Sequence, residues 1–435
     1  MRLRIVINLK NMPSQAKNGN LVLRRESNMN KTQAVLIVML VLALVSSGYA
    51  DESGENSKIV ADFWKCASPT DGFWGLNEKL APSGVEIGLG VTNVYQTNVK
   101  GGTSTKDHRG RHVGRYDLEM SMDLEKLLGI EGGSFFVHGW GGWPNTEGID
   151  GHSVGSAWGI NALSVGNRGM DIVEAFYVGP FFSDNLTIAI GKLDFTGIFD
   201  ASQYADYECA QFLNAALVDD PTIPFPAQGL GVVLNWAITD SWYLMGGAVD
   251  AQGDNRETGF RTALHKEDYF FYALETGITA GNGTYRIGLW NDPQPKGSDN
   301  KRDDVGVYTS CDWLVYEENP GSEDGQGFGT FFRYGYAPSK RNDITNFFSA
   351  GFQYQGLFDG RDDDVFGLAY AHGVFANTVA STYPEDYESV VEAYYNAQVT
   401  PWFVFGPSIQ YVANPGGSNT AKDAVVLGLR AQITF

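Results

Sequence analysis

Residues 424–435 read AVVLGLRAQITF. Val425, Leu427, Leu429, Ala431, Ile433 and Phe435 share one phase; Val426, Gly428, Arg430, Gln432 and Thr434 share the other. Successive side chains of a β-strand point to opposite faces. The stretch therefore reads as a strand with one wholly apolar face and one face carrying an arginine, an amide and a hydroxyl. A soluble sheet packs its apolar face on a core, and a membrane barrel turns it to lipid. One strand does not separate the two, so the choice rests on the rest of the chain.

The same period-2 alternation recurs upstream. GVEIGLGVTNVYQ starts a series near residue 84 and GRYDLEMSMDL follows near 115. Further candidates begin near 133, 171, 186, 229, 241, 269, 283, 304, 327, 346, 363, 389, 402 and 424, about sixteen strands with boundaries uncertain by several residues. Connections after odd-numbered strands are mostly long, roughly 9 to 35 residues, and those after even-numbered strands mostly short, such as 239–240, 279–282 and 400–401. A sandwich has no reason to sort its loops, whereas an outer-membrane barrel has short turns on its periplasmic rim and long loops outside. An even count puts both ends of the barrel on the short-turn rim. Strands of about ten residues suffice to cross a bilayer when tilted, and a sheet in lipid has to close because no edge can stay unpaired there. Aromatic pairs near strand ends (331–332, 347–348, 394–395, 402–403) suit interfacial girdles. The expected fold is all-β: a closed antiparallel transmembrane β-barrel of about sixteen strands, with a long inward or capping loop.

Composition agrees. The 435 residues include 53 Gly, 26 Phe, 21 Tyr and 10 Trp, and disordered chains lack aromatics. Met29-Asn30-Lys31, the apolar run 34–45 and SSGYA at 46–50 have the order of a secretory signal peptide, with Gly48 and Ala50 at the cleavage site. The run is too short for a membrane-spanning helix of about 20 residues. The organisation expected is an upstream extension at 1–28, a signal peptide at 29–50 cleaved near Ala50, a periplasmic-side segment at 51–83 and the barrel at 84–435. The whole chain carries a formal −20 and the exported part −26, which argues against nucleic acid as a partner. Cys66, Cys209 and Cys311 cannot all pair, and they form no disulfide framework.

The polar phase of each strand gives the candidate lumen residues Glu86, Arg115, Asp117, Glu119, Glu174, Arg286, Arg333, Gln353, Gln355, Glu392, Asn396, Gln398, Gln410, Arg430 and Gln432. A one-residue slip would flip any of these to the other face. Residues 194–228 break the alternation. CAQFLNAAL has a helical composition that DDPTIPFP stops, and the segment either folds inward and narrows the pore or caps the mouth from outside. Other chemistry is weaker. His108 and His112 sit in a charged, Gly-rich loop without the further ligands a zinc site needs. Gly151-x-Ser153-x-Gly155 matches a nucleophile elbow in letters but lacks the strand–turn–helix context. RDDD at 361–364 and KRDD at 301–304 read as charged turns rather than Ca²⁺ sites. Trp140 and Trp143 in GWGGW suit interfacial anchoring better than stacking on a sugar.

Several blocks resemble the carbohydrate-selective outer-membrane porin family of OprB type: DGFWGLNEKLAPSGVEIGLGVTNVYQTNVKGG (71–102), DLEKLLGIEGGSFFVHGWG (123–141), GKLDFTGIFD (191–200) with QFLN (211–214), 331–371, and 400–435. Together they run across nearly all of the exported chain. Asn77 stands where the family pattern often has an Arg, and 141–170 is only loosely similar. The resemblance implies a sixteen-stranded barrel that passes small sugars passively, with charged residues and arginines at a narrowed pore. By position it adds Lys192 and Asp194 (GKLD), and Arg361 and Asp364 (GLFDGRDDD), and it supports Arg430. It implies no enzyme activity, no cofactor and no metal. The partners implied are mono- or disaccharides, outer-membrane lipid, and the barrel-assembly machinery reading the terminal Phe435. A general porin, a secreted glycan-binding β-protein and a homo-oligomer stay open.

Overall fold

The computed structural model describes residues 68–435 apart from 108, 145–147, 265–267, 297–300, 303, 321–324 and 378–382. The expectations for 1–28, for the signal peptide and for Cys66 and His108 fall outside the described residues. Sixteen antiparallel strands close into one barrel, each paired with its sequence neighbours and the last with the first. They are β1 (Val85–Gly102), β2 (Gly110–Asp123), β3 (Ser134–Trp143), β4 (Arg168–Phe181), β5 (Ser183–Leu193), β6 (Gly229–Thr239), β7 (Trp242–Asp250) and β8 (Phe270–Ala280). The second half is β9 (Gly283–Asp292), β10 (Asp304–Glu317), β11 (Gly327–Tyr336), β12 (Ile344–Gln355), β13 (Val365–Phe375), β14 (Tyr387–Thr400), β15 (Phe403–Ala413) and β16 (Lys422–Thr434). A helix, Asp71–Leu80, and a 3-10 turn, Ala81–Ser83, precede β1.

The largest departure from the sequence reading is at the first hairpin. β1 runs on to Gly102 and β2 starts at Gly110, leaving only 103–109 between them. Glycines and polar side chains at 100–114 conceal an alternation that the backbone ladder still follows. The short-turn rim is also less uniform than the sequence suggests, with connections at 124–133, 318–326 and 356–364. The helical run expected in CAQFLNAAL shrinks to one turn, Ala215–Val218, capped by the Asn214 side chain on Ala216 N.

The closing strand fixes the sense of the faces. Arg430 lies opposite Val94 of β1 and Gly406 of β15. Leu427 and Leu429 are 42% and 45% exposed, while Val426 and Arg430 are 1% and 3% exposed. The apolar phase thus points outward, as lipid requires. Ile190, Trp236, Leu274, Ile287 and Leu289 continue that outward apolar surface on other strands. At the short-turn rim Trp402, Phe403 and Ile433 cluster with Phe435, whose N–H donates to Leu89 O at 2.9 Å. On the outer face Tyr116 and Trp143 stack with centroids 6.4 Å apart. They lie over Gly114 and Gly141, where a Cβ would meet those rings at 2.0 and 2.2 Å. Trp143 therefore faces outward, and Trp140, three residues earlier, is buried on the inner phase.

Candidate functional site

Residues 194–228 leave β5 at Leu193 and return to β6 at Gly229, two residues that are direct register partners. Between those ends the segment crosses the barrel interior and bonds to strands on all sides. Asp200 N donates to Glu275 of β8, Ser202 Oγ to Asp312 of β10, and Leu213 N and Asn214 N to Glu392 of β14. Asn214 Nδ2 donates to Gln410 of β15, and Gln353 of β12 to Tyr204 O. Of the two readings of this segment, the inward one matches these contacts. Glycines on the inner face of β11 make room for it. A Cβ on Gly329 would meet Tyr204 at 2.1 Å, and one on Gly335 would meet Thr222 and Asp220 at 2.1 and 2.2 Å.

Three wall arginines hold the segment. Arg115 on β2 pairs with Glu208 at 2.5 Å and with Asp117 at 3.0 Å, and its guanidinium lies 5.1 Å from the Trp140 ring centroid. Arg333 on β11 donates to Val218 O (3.0 Å) and Asp200 O (3.1 Å), and its Nε lies 3.2 Å from the Asp200 carboxylate. Arg430 on β16 donates to Glu208 O (3.0 Å), Gln211 O (2.7 Å) and Asn396 Oδ1 (2.8 Å), and lies over the Tyr394 ring. Asn396 adds a bond to Ala210 O at 2.6 Å. Arginine suits this task because its planar fork donates to several carbonyls at once. The inner face of β11–β14 is not purely polar: Phe331, Phe347, Ala369 and Tyr394 are covered there by Tyr204, Phe212 and Leu217 of the segment. Cys209 accepts from Arg115 at 2.9 Å, and burial pushes its thiol up to about 11. Among the described residues Cys209 and Cys311 form no disulfide.

The other candidate residues separate into groups. His138 on β3 bridges Asp117 and Glu174, each at 3.1 Å. Glu119 lies next along β2, opposite His138, and Glu86 is exposed on the same inner phase near the start of β1. Arg286 pairs with Asp312 at 2.9 Å. Lys192 and Asp194 correct the position-based expectation of a pore surface, being 3% and 4% exposed. The Lys192 ammonium donates to four backbone carbonyls, Ile172, Asp254, Asn255 and Glu257, at 2.5–3.2 Å. Asp194 caps the turn at Thr196 and accepts from Gln228. Arg361 and Asp364 are likewise apart from the arginine group. They pair bidentately at 2.7 and 2.8 Å in the turn 356–364, and Asp364 accepts from Gln398 N at 2.9 Å and from the Tyr395 hydroxyl. Ser153 is fully buried and donates to Ser104 O, tying two external connections together. Asn77 is 2% exposed, with neither amide atom partnered among the described residues. No group of three His, Cys, Asp or Glu is placed to hold a metal among the described residues. His138, Glu208, Glu275 and Asp312 were missed from the sequence; Glu208 sits in irregular chain, where no period marks the side that faces a partner.

Asp200 and Asp220 lie in the inward segment near Arg333, Asp206 and Glu275. Burial, against the pull of Arg333, pushes Asp200 up to about 7 and Asp220 up to about 6. Both carboxyls hold their protons more tightly when the segment is seated than the roughly 3.9 of a free aspartate. Seating is therefore favoured at low pH and weakens as pH rises from about 4 to about 7. Open-channel current is expected to be quieter at pH 5 than at pH 8, with Asp200→Asn removing most of the difference. Equal current noise at the two pH values in the unmodified protein would exclude this.

A cleft of about 720 Å³ opens on the long-loop side, lined by Trp140, Asn161, Ser164, Arg168, Asn255 and Arg256 among others. Its Trp140 wall meets the His138 ring edge-on at 5.8 Å, so one inner face of β3 links the cleft to the Asp117–His138–Glu174 group.

A closed sixteen-stranded barrel with an apolar outside, charged inner walls and a segment drawn across its interior is an outer-membrane porin architecture. Residues 107–435 match the family described as carbohydrate-selective porin, OprB family. Porin B of Pseudomonas aeruginosa is 22% identical over 93% of this chain and 98% of its own length. Porin AaxA of Chlamydia muridarum is 23% identical over 67% of this chain and 61% of its own length. The structure of Pseudomonas putida OprB at high pH superposes with a TM-score of 0.72 at 18% identity, covering 85% of this chain and 99% of that one. The chain belongs to the OprB family of carbohydrate-selective porins.

Proposed function

We propose that this porin passes mono- and disaccharides by passive diffusion. The route enters at the external cleft beside Trp140 and descends past Glu174, Glu119 and Glu86. The supporting observation is the segment 194–228, held across the lumen by Arg115, Arg333 and Arg430, which narrows the passage left for a solute. Along that path amides and carboxylates exchange hydrogen bonds with sugar hydroxyls, and mixed charge keeps each stop weak enough for the solute to leave. Export with cleavage near Ala50, recognition of Phe435 by the assembly machinery and a possible homo-oligomer complete the reading.

Planar-bilayer recording tests it. Single channels are expected whose ion current falls on adding glucose or maltose. Channels indifferent to both sugars would favour a general porin, a reading supported by the acidic Asp117, Glu119 and Glu174 and predicting cation preference in reversal potentials.

A further inference from the structure

Four polar atoms around the external cleft are buried and have no hydrogen-bond partner among the described residues: Trp140 Nε1, Asn161 Nδ2, Ser164 Oγ and Asn255 Oδ1. All four residues line the same cleft, and Trp140 as a whole is only 7% exposed. Leaving a buried donor or acceptor unmade costs the full desolvation of that group. They come from separate elements, β3, the connection 144–167 and the connection 251–269, so no single local turn explains them. The cleft volume, about 720 Å³, falls in the range of about 300–1,000 Å³ usual for small-molecule sites.

We infer that this cleft is a docking site for a neutral polyhydroxylated ligand of hexose or disaccharide size, held before it enters the narrow part of the channel. The inference rests on the sugar-porin reading and assigns it a site. The set comprises two donors (the indole N–H and the Asn161 amide), one acceptor (Asn255 Oδ1) and one hydroxyl that can do either. Vicinal sugar hydroxyls, each both donor and acceptor, complement such a mixture. All four atoms are covered in the free protein, so on the proposed binding these side chains turn toward the cleft. The ligand is neutral because the open groups are neutral. The Arg168 guanidinium is already committed to Asp171 at 3.1 Å and to Val165 O at 2.8 Å, and Arg256 is exposed to water. Lys192 is the positioning residue: its ammonium holds the carbonyls of Asp254, Asn255 and Glu257 and so sets where Asn255 stands.

The test is the half-blocking concentration of maltose and glucose in planar bilayers, each variant normalised to its own open-channel current. Trp140→Phe keeps an aromatic ring beneath Arg115 and removes the N–H with the five-membered half of the indole; Asn161→Ala removes the amide. Each is expected to raise the half-blocking concentration about three- to ten-fold, the loss of one hydrogen bond. The outward-facing Trp143→Phe leaves it unchanged. Sugar added on the long-loop side blocks faster than sugar added on the other. Should Trp140→Phe fail to insert, Ser164→Ala probes the same cleft. Wild-type blocking in both variants overturns the docking site while leaving the sugar porin standing. Gluconate blocking better than glucose overturns the neutral class. A conducting wild type that no sugar blocks overturns the site and the sugar reading together.

Discussion

Exchanging residues 194–228 for a two-residue Asn-Gly turn is expected to raise single-channel conductance about three-fold or more, since a sixteen-stranded barrel without a plug holds a wide aqueous channel. The geometry permits the exchange. Leu193 and Gly229 are direct partners in the β5–β6 ladder, and Asn-Gly closes an antiparallel pair in two residues. The variant also exposes Phe331, Phe347 and Tyr394 to lumen water, and it frees Arg115, Arg333 and Arg430, all now at most 3% exposed. A lower temperature for the loss of heat-modifiable gel mobility should accompany the wider pore, because apolar burial and the arginine bonds go together. Sugar block should weaken as well, since solutes no longer have to pass through a narrowed lumen. Unchanged conductance would mean that the conducting path never ran beside this segment.

The barrel was legible in the sequence for a definite reason. Strands whose two faces meet lipid and lumen alternate, and Leu427, Leu429 and Arg430 show that alternation in both sequence and exposure. The site was legible only on its wall side. Arg115, Arg333, Asn396 and Arg430 fall in phase with their strands, so the period marks them. Their partners are Glu208, Gln211, Asp200 and Val218 in a segment with almost no regular structure. No repeat tells which of those residues turns to which strand, because the contacts are set by where a 35-residue excursion happens to meet a closed wall. Position within a family block was a weaker guide. GKLD and GLFDGRDDD do contain charged residues, but Lys192 and Asp194 anchor connections and Arg361 closes on Asp364 within a turn. The glycines of β11 carry a signal of the inward segment in the sequence itself. Gly329 and Gly335 share the inner phase with Phe331 and Arg333, and small residues on an inner face mark a close approach.

Arg430→Met is expected to keep the barrel and loosen what lies inside it. Methionine fills much of the arginine's length and can still pack on Tyr394, so β16 retains its backbone ladder to β1 and β15. What it lacks are the donors. Glu208 O, Gln211 O and Asn396 Oδ1 each lose a charged N–H in a place where Arg430 is only 3% exposed. Buried acceptors left without a donor cost on the order of 1–3 kcal/mol apiece, and one such loss is enough to shift a two-state equilibrium about ten-fold. Part of the segment 208–211 therefore spends more time away from the wall. Single-channel records should show at least about a ten-fold rise in the time spent at a higher conductance level. Arg430→Lys should fall between the two, because a point ammonium cannot span the carbonyls of Glu208 and Gln211 and also reach Asn396 as a planar fork does. A Met variant with wild-type current steps would show that Arg115 and Arg333 hold the segment without help. The polar phase of AVVLGLRAQITF would then serve closure of the barrel alone.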